Sequence, residues 1–317
     1  MCWVLFLRNS PGYESFSNVP LIFPALLIMP ITSRIQPLQS MDNPNVKRWK
    51  KIAVNPRSVK KLSRTLAEGA HLARAALEAL ERRTLSKTEE GSAFTPLVTS
   101  VILREDSATE EARNLFNLFL EKDTGIRFYT APGALYETFS PVENGVGITL
   151  EISIPTVSKP EMPLNVDAVY LDGVQDAGNV GTILRTALAA GIRHLAFSPK
   201  TALLWSPKVL RAAMGAHFAL NLYEDIVPEE IATLFSGEIF AADARGGRNL
   251  FTEPSWGKQA TVWMFGAEGP GLSERALSVA NARYLIPIES ECESLNVAAA
   301  AAVILFEQKR RRLLGGV

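Results

Sequence analysis

Residues 166–191 read VDAVYLDGVQDAGNVGTILRTALAAG and contain the elements that decide the fold. The run 166–171 is apolar and rich in β-branched and aromatic residues, which is typical of a buried strand. Segment 180–190 has apolar residues at helical spacing, with Asn179 as a suitable N-cap and Gly191 as a suitable end. The stretch therefore predicts a β-strand joined to an α-helix by a polar loop.

The alternation of strand and helix continues on both sides. Towards the N-terminus it predicts a smaller α/β unit, with strands over 65–67, 96–103, 126–129 and 146–154 and helices over 68–83 and 108–122. Towards the C-terminus it predicts strands over 194–197, 218–222, 239–242, 261–265 and 284–288 and helices over 207–214, 228–235, 273–280 and 295–314. Short apolar strands between helices predict an α/β fold whose C-terminal sheet is mostly parallel and covered on both faces.

Three closely spaced prolines separate these two regions. Pro155, Pro160 and Pro163 are typical of a linker. We therefore expect an N-terminal domain over 31–155 and a C-terminal domain over 165–317.

Residues 1–30 do not share the alternating pattern. The apolar run 21–29 is too short to cross a bilayer and contains a proline, and the start of the chain lacks the features of a signal peptide. We expect either an unstructured extension or a mis-assigned start, with natural translation beginning at Met29. The intact mass of the endogenous protein distinguishes the two.

The composition excludes several classes of protein. Of the 317 residues, 47% are hydrophobic and 21% charged, which argues against a disordered or disulfide-stapled chain. The 33 basic and 33 acidic residues balance, so a uniformly basic nucleic-acid coat is excluded. Two cysteines favour a reducing, cytoplasmic compartment. Because the cysteines and the three histidines are scattered, we expect no metal site, and we expect no membrane partner.

Positive charge is concentrated in residues 46–64, which contain no acidic residue and include Trp49. The run is either a solvated helix face or a surface that follows RNA phosphates with one aromatic side chain, and we favour the second interpretation. The expected RNA-binding residues are Lys47, Arg48, Lys50, Lys51, Arg57, Lys60 and Lys61.

Unusual loops follow three of the C-terminal strands, where ligands bind in open α/β sheets. The loop after 261–265 has three glycines and a proline, so that its backbone can approach a ligand closely, and Glu268 is its single charge. The loop after 284–288 leads through Ser294, a candidate cap for the last helix, to an alanine-rich segment. Cys292 lies among carboxylates that disfavour a thiolate, so we interpret it as structural. The loops predict a small-molecule pocket without identifying the molecule.

Taken together, the three loops resemble the three sequence motifs of the SpoU/TrmH family of RNA ribose 2′-O-methyltransferases, in the SPOUT superfamily. The resemblance covers roughly residues 165–315, and the N-terminal domain is more loosely similar to the substrate-binding domain of the family. The matching segments are Asn179-Val180-Gly181 with Arg185-Thr186-Ala187, Phe265-Gly266-Ala267-Glu268-Gly269 with Gly271-Leu272, and Ile286-Pro287-Ile288 with Ser294-Leu295-Asn296-Val297.

The resemblance implies a C-terminal domain with a deep trefoil knot, bent binding of S-adenosylmethionine in the knotted loops, and a homodimer with the active site at its interface. The substrate it implies is a ribosomal or transfer RNA. The cofactor-binding positions implied by the motifs are Phe265, Gly266, Gly269, Ile286, Pro287, Ile288 and Leu295.

Arg185 matches the catalytic arginine of the family. Because a guanidinium hardly deprotonates, we expect it to stabilise the developing alkoxide rather than to act as a base. Asn179, Glu268, Ser294 and Asn296 are expected to orient the ribose, the arginine and the loops.

The sequence disfavours two alternatives to a methyltransferase. A catalytically inactive RNA-binding or assembly protein on the same fold is disfavoured because all five expected catalytic residues are present. A nicotinamide-dependent oxidoreductase is disfavoured because the G-x-G-x-x-G fingerprint is absent from the sequence.

Overall fold

The computed structural model describes residues 34–85, 97–122, 125–254 and 256–315. The expectation for residues 1–30 lies outside these ranges. The described chain forms an α/β structure with two separate sheets, one built from residues 35–153 and the other from residues 168–285. Among the described residues, no helix has both the length and the apolar character needed to cross a membrane.

The N-terminal sheet has five strands in the order β1-β4-β3-β5-β2. The β1-β4-β3 part is parallel, whereas β5 runs antiparallel to both β3 and β2. The strands are β1 (Ile35–Pro37), β2 (Arg64–Glu68), β3 (Leu97–Arg104), β4 (Arg127–Ala131) and β5 (Ile148–Ser153). The helices are α1 (Pro44–Val54), α2 (Pro56–Leu62), α3 (Ala70–Leu85), α4 (Glu110–Glu121) and α5 (Gly133–Tyr136).

The basic run forms α1 and α2, which are separated at Asn55. The Asn55 side chain accepts a hydrogen bond from the Arg57 backbone N–H at 3.0 Å and so caps α2. Trp49 is fully buried, and its ring packs at 5.3 Å from Tyr129 and 5.2 Å from Phe139. The expectation that Trp49 is the aromatic side chain of an RNA surface is therefore wrong, because the indole is part of the core.

The C-terminal sheet has seven strands, all parallel, in the order β10-β12-β9-β11-β6-β7-β8. The strands are β6 (Ala168–Asp172), β7 (His194–Phe197), β8 (Asn221–Tyr223), β9 (Glu238–Ala242), β10 (Arg248–Asn249), β11 (Thr261–Gly266) and β12 (Ala282–Leu285). The helices are α6 (Ala177–Ala190), α7 (Pro207–Ala213), α8 (Ile231–Leu234), α9 (Glu274–Val279) and α10 (Val297–Gly315). The predicted parallel α/β sheet is confirmed, and the trefoil knot stays a prediction.

Two helix caps differ from the sequence expectation. Helix α6 begins before Asn179, and Asp176 caps it by accepting from the Asn179 backbone N–H at 2.8 Å. Helix α10 is capped by Asn296 instead of Ser294, since the Asn296 side-chain oxygen accepts from the Ala298 N–H at 2.9 Å. Both predicted caps are therefore wrong, and the Asn179 side chain is free to bond elsewhere.

The two sheets contact each other through β2, α2 and α3 on one side and the region around α7 on the other. The Thr65 hydroxyl donates to the Trp205 carbonyl at 2.6 Å, and Lys60 lies 3.1 Å from the Asp225 carboxylate. Gly215 has a positive φ of 89°, and a Cβ there would lie 2.5 Å from Cβ of Ala75. This close approach places α3 against the turn that follows α7.

Candidate active site

Two of the three predicted loops, those after β11 and β12, line one cavity of about 590 Å³ at the carboxyl ends of the C-terminal strands, whereas the loop after β6 does not line it. Loops after β9, β11 and β12 and the first turns of α10 form its wall. Its lining is Ala242–Arg245, Phe265–Gly269, Gly271, Tyr284–Ile286, Ile288, Glu293–Val297, Ala300 and Ile304. The expected cofactor residues Phe265, Gly266, Gly269, Ile286, Ile288 and Leu295 therefore lie at this cavity, whereas the exposed Pro287 does not line it.

The loop after β11 requires glycine for its shape. A Cβ on Gly266 would lie 2.1 Å from the backbone of Gly271 and Leu272. Ala267 and Gly271 exchange two backbone hydrogen bonds, of 3.1 and 2.9 Å, which fold the loop back on itself. Gly269 and Gly271 have φ values of 87° and 73°, which favour glycine. The loop therefore presents backbone, rather than side chains, to the cavity.

Three of the expected catalytic residues form a hydrogen-bonded chain. The Asn296 side-chain NH₂ donates to the Asn179 side-chain oxygen at 3.0 Å. The Asn179 NH₂ in turn donates to the Glu268 carboxylate at 2.7 Å. The three residues come from the start of α10, the start of α6 and the loop of residues 266–272, which we call the glycine loop. The contacts therefore fix all three elements relative to one another.

Ser294 lines the cavity and is exposed. Its carbonyl accepts a hydrogen bond from the Cys292 thiol at 3.4 Å, and Cys292, interpreted from the sequence as structural, is exposed.

Arg185 is not part of the cavity within one chain. Six residues along an α-helix correspond to about 9 Å of rise and about 240° of rotation, so Arg185 points away from the side of α6 on which Asn179 lies. Its exposed side chain lines a separate cleft of about 270 Å³ between α6 and α3, together with Glu78 and Arg82. The structure thus brings Asn179, Glu268 and Asn296 together and leaves Arg185 apart.

Charge in the cavity is mainly negative. Asp243, Glu268 and Glu293 line it, and Arg245 is the single cationic side chain among the described lining residues. Sequence reasoning missed Arg245, which follows β9 in a loop without a motif. The acidic lining suits a ligand that carries positive charge.

The seven expected RNA-binding residues differ in their surroundings. Arg48 donates to the carboxylate of the buried Glu151 at 2.7 and 3.0 Å. Lys47 pairs with Asp42 at 2.8 Å, and Lys60 pairs with Asp225. Within the described part of the chain, the others form no ion pair: Lys50, Lys51, Arg57 and Lys61, all exposed on α1 and α2.

Glu151 explains why Arg48 is held in place. Burial alone would raise the pKa of this carboxyl, but the hydrogen bond and charge of Arg48, with help from Trp49 and Arg64, hold the pKa below its usual range. The Arg48 guanidinium is therefore bound to the sheet and is a poor candidate for RNA contact.

A larger cavity, of about 820 Å³, lies elsewhere, beside the end of α10. Its arginines have internal partners, since Arg311 stacks 4.0 Å from the Trp256 ring centroid and Arg312 pairs with Asp167. No cluster of potential metal ligands occurs among the residues that the structure describes.

Comparison with known proteins gives matches for the part of the chain that forms this cavity. Residues 168–306 match the family model described as the SpoU rRNA Methylase family. A 23S rRNA guanosine 2′-O-methyltransferase of Bacillus subtilis, RlmP, is 26% identical over 265 residues, which cover 83% of this chain and 95% of the relative. An uncharacterised tRNA/rRNA methyltransferase of Synechocystis is 26% identical over 86% of this chain and 92% of its own length.

Solved structures share the fold. An AdoMet-bound rRNA methyltransferase from Sinorhizobium meliloti superimposes with a TM-score of 0.71 at 22% identity, over 89% of this chain and 99% of the other. The SpoU methyltransferase AviRb of Streptomyces viridochromogenes, in complex with AdoMet, superimposes with a TM-score of 0.70 at 21% identity, over 86% of this chain and 100% of the other. At this identity the two structures establish the fold of the described chain.

Proposed function

We propose that this chain, whose residues 168–306 match the SpoU rRNA Methylase family, transfers a methyl group from S-adenosylmethionine to a ribose 2′-hydroxyl of ribosomal or transfer RNA. The observation that carries the proposal is the pair of hydrogen bonds that links Asn296 to Asn179 and Asn179 to Glu268, beside the cavity formed by the loop of residues 266–272. Such an ordered polar chain favours catalysis over an inactive RNA-binding protein, because an inactive protein has no need to keep it.

The cavity fits the cofactor in shape and charge. Phe265, Ile286 and Leu295 offer apolar surface, and the glycine loop offers backbone groups. Glu268 and Glu293 supply negative charge to a site that must accept a sulfonium cation. When bound, S-adenosylmethionine supplies an activated methyl group. The residues of the chain then have two tasks, to align the ribose and to stabilise the charge that develops on its oxygen.

We assign the aligning task to the three bonded residues. Asn179 is held from both sides, by Asn296 and by Glu268, so its amide has one defined orientation. Glu268 accepts from Asn179 through one carboxylate oxygen and retains a second oxygen that can accept from the ribose hydroxyl. Ser294, exposed at the cavity, is the remaining proposed ribose contact.

Arg185 acts, on this proposal, from the partner subunit of a homodimer. Its side chain lies outside the cavity of its own chain, so a two-fold related copy must supply it. The small side chains along α10 suit a close helix contact: Ala299 is exposed and Ala302 half-buried. The guanidinium keeps its charge throughout and stabilises the developing alkoxide electrostatically.

The role of Arg185 is tested by substitution. Arg185→Ala should bind S-adenosylhomocysteine normally in calorimetry and lose about 10²-fold or more in methyl transfer. Arg211→Ala, which removes another exposed helix arginine of the same domain, is the matched control and should retain turnover. Near-wild-type turnover of Arg185→Ala would exclude the role.

Mixed dimers test whether Arg185 acts across the interface. Arg185→Ala and Glu268→Ala chains should each be inactive alone. In a mixed dimer one site combines the intact cavity of one chain with the intact arginine of the other, so an equal mixture should recover about a quarter of wild-type activity. No recovery, or a monomer in solution, would contradict the arrangement.

RNA contact is assigned to the exposed face of α1 and α2. Lys50, Lys51 and Lys61 are exposed and unpaired among the described residues. Changing all three to glutamine should weaken RNA binding and reduce the slope of log K against log salt by up to about 2. The same change at Lys200, Lys208 and Lys258 is the control. If both variants showed the same slope of log K against log salt, the basic run would be a solvated helix face and not an RNA-binding surface.

We also propose the division of labour and the compartment. The N-terminal domain, expected over 31–155, selects the RNA, and the C-terminal domain, expected over 165–317, transfers the methyl group. The low cysteine content supports a cytoplasmic location. Mapping ribose methylation in total RNA from a deletion strain would identify the nucleotide.

A further inference from the structure

The loop after β9 carries a charged pair that none of the motifs includes. Asp243 is buried, with 8% of its surface exposed, and its carboxylate accepts from the Arg245 backbone N–H and from Arg245 Nε, both at 3.1 Å. Arg283 approaches the other oxygen of Asp243 at 3.8 Å. Asp243 therefore fixes the direction in which the Arg245 side chain extends.

Arg245 extends from Asp243 to the glycine loop. Its Nη1 donates to the Pro270 carbonyl at 3.0 Å, and its Nη2 lies 3.5 Å from the Leu272 carbonyl. These two carbonyls flank Gly271, the residue that exchanges hydrogen bonds with Ala267. The guanidinium thus spans the arm of the loop on both sides of Gly271.

The loop needs such a support. Glycine residues lose more conformational freedom on ordering than any others, and this segment has three glycines between 266 and 271. A planar guanidinium with two donors can fix two carbonyls at once, which a single ammonium group cannot do.

We propose that Arg245 is a positioning residue for the methyl donor: the Asp243–Arg245 pair holds the glycine loop in the shape that forms one wall of the cofactor cavity. The inference rests on the proposed function and adds to it a residue outside the family motifs. Arg245 contacts the loop at residues 270 and 272 and does not contact the hydrogen-bonded side chains of Asn296, Asn179 and Glu268. It therefore acts on cofactor affinity and leaves the transfer step unchanged.

Cofactor titration tests the proposal. Arg245→Ala should bind S-adenosylhomocysteine about 10-fold more weakly in calorimetry, because a charge-assisted contact that orders the loop is lost. It should raise KM for S-adenosylmethionine with kcat and the KM for RNA unchanged. Arg245→Lys should recover part of the affinity, and Asp243→Asn should weaken binding in the same direction. Arg283→Ala is the matched control, since Arg283 shares Asp243 and does not line the cavity.

Hydrogen exchange tests the loop without any cofactor. In the free protein, the amides of Ala267 and Gly271 should exchange faster in Arg245→Ala than in the wild type or in Arg283→Ala. Equal exchange and equal affinity in the two variants would overturn the inference, as would a fall in kcat with unchanged affinity. If the wild type bound neither S-adenosylmethionine nor S-adenosylhomocysteine, the proposed function would fail, whereas the exchange result would still decide the role of Arg245 in the loop.

Discussion

Replacing Glu68 by glutamine should make the N-terminal domain more stable at neutral pH. Glu68 ends β2 and is buried, with 5% of its surface exposed. One carboxylate oxygen accepts from the Ser140 hydroxyl, whereas the other has no hydrogen-bond partner among the described residues. That second oxygen lies against Gly145, where a Cβ would be 1.6 Å away. A charge at this position is poorly solvated.

The magnitude follows from the pKa. Burial raises the pKa of Glu68 from 4.5 to about 7, even though Ser140, Tyr136, Arg104 and Thr149 favour the ionised form. A group whose pKa is raised on folding contributes stability below its unfolded pKa and loses it as the pH rises through the folded value. The difference corresponds to roughly 3 kcal/mol, lost between about pH 4.5 and about pH 7.

Glutamine has nearly the same shape and cannot ionise. The Glu68→Gln variant should therefore gain up to roughly 3 kcal/mol over the wild type at about pH 8 and much less at about pH 4.5. Urea unfolding followed by circular dichroism and tryptophan fluorescence at several pH values measures the difference.

Glu151 on the neighbouring strand β5 supplies the control. It is also buried, but Arg48 holds its pKa below the usual range despite burial. Glu151→Gln should therefore destabilise the domain near neutral pH, the opposite sign to Glu68→Gln. A Glu68→Gln variant whose stability relative to the wild type does not change with pH would refute the reasoning.

Three further changes test individual contacts. Gly266→Ala should abolish S-adenosylhomocysteine binding in calorimetry because its Cβ would collide with the loop backbone, whereas Gly246→Ala, with open space around its Cβ, should bind normally. Asn296→Ala should lose the α10 cap and about 1 kcal/mol of unfolding free energy, while Asn296→Asp should keep the cap and still lose methyl transfer; equal stability of the two in urea would be inconsistent with capping. Arg48→Ala should lower the unfolding free energy by about 3 kcal/mol near neutral pH because it strips the buried Glu151 of its main partner, and the deficit should shrink in acid as Glu151 is protonated.

Local patterns predicted six of the seven strands of the C-terminal sheet, all except β10, and two of the loops that line the cavity, those after β11 and β12. The local sequence is enough to predict the buried strand β6 and the tight loop after β11, because strand burial and loop shape depend on residues close in sequence. The C-terminal sheet is confirmed as parallel for that reason. The order of its strands, by contrast, depends on contacts between distant segments.

Predictions failed where a side chain is held by a distant partner. Asn179 was expected to cap α6, but its side chain bonds to Glu268 and Asn296, 89 and 117 residues away. Trp49 was expected at the surface, but it is buried against Tyr129, which lies 80 residues further along the sequence. Neither partner is visible from the neighbouring sequence, so helical spacing alone could not decide between the alternatives.

The position of Arg245 was missed for a related reason. An arginine in a polar loop carries no pattern of its own, and its contact with Pro270 exists only once β9 and β11 lie side by side in the sheet. A short sequence motif contains residues whose chemical role requires a fixed spacing. A residue that supports a loop needs only to contact that loop, so it can lie on any neighbouring segment of suitable length.

The separation of Arg185 from the cavity determines how the proposed reaction is divided between chains. The cavity is lined within one chain, from the end of β9 to the first turns of α10, so a single chain contains the proposed cofactor wall. The cation proposed to stabilise the alkoxide lies on another face of α6, beside the N-terminal domain. A dimer that inserts this arginine into the partner's cavity would therefore join the proposed cofactor site of one subunit to the proposed RNA-binding domain of the other. On this arrangement, cofactor binding needs one folded chain, whereas methyl transfer needs two, and RNA bound to one N-terminal domain is presented to the opposite active site.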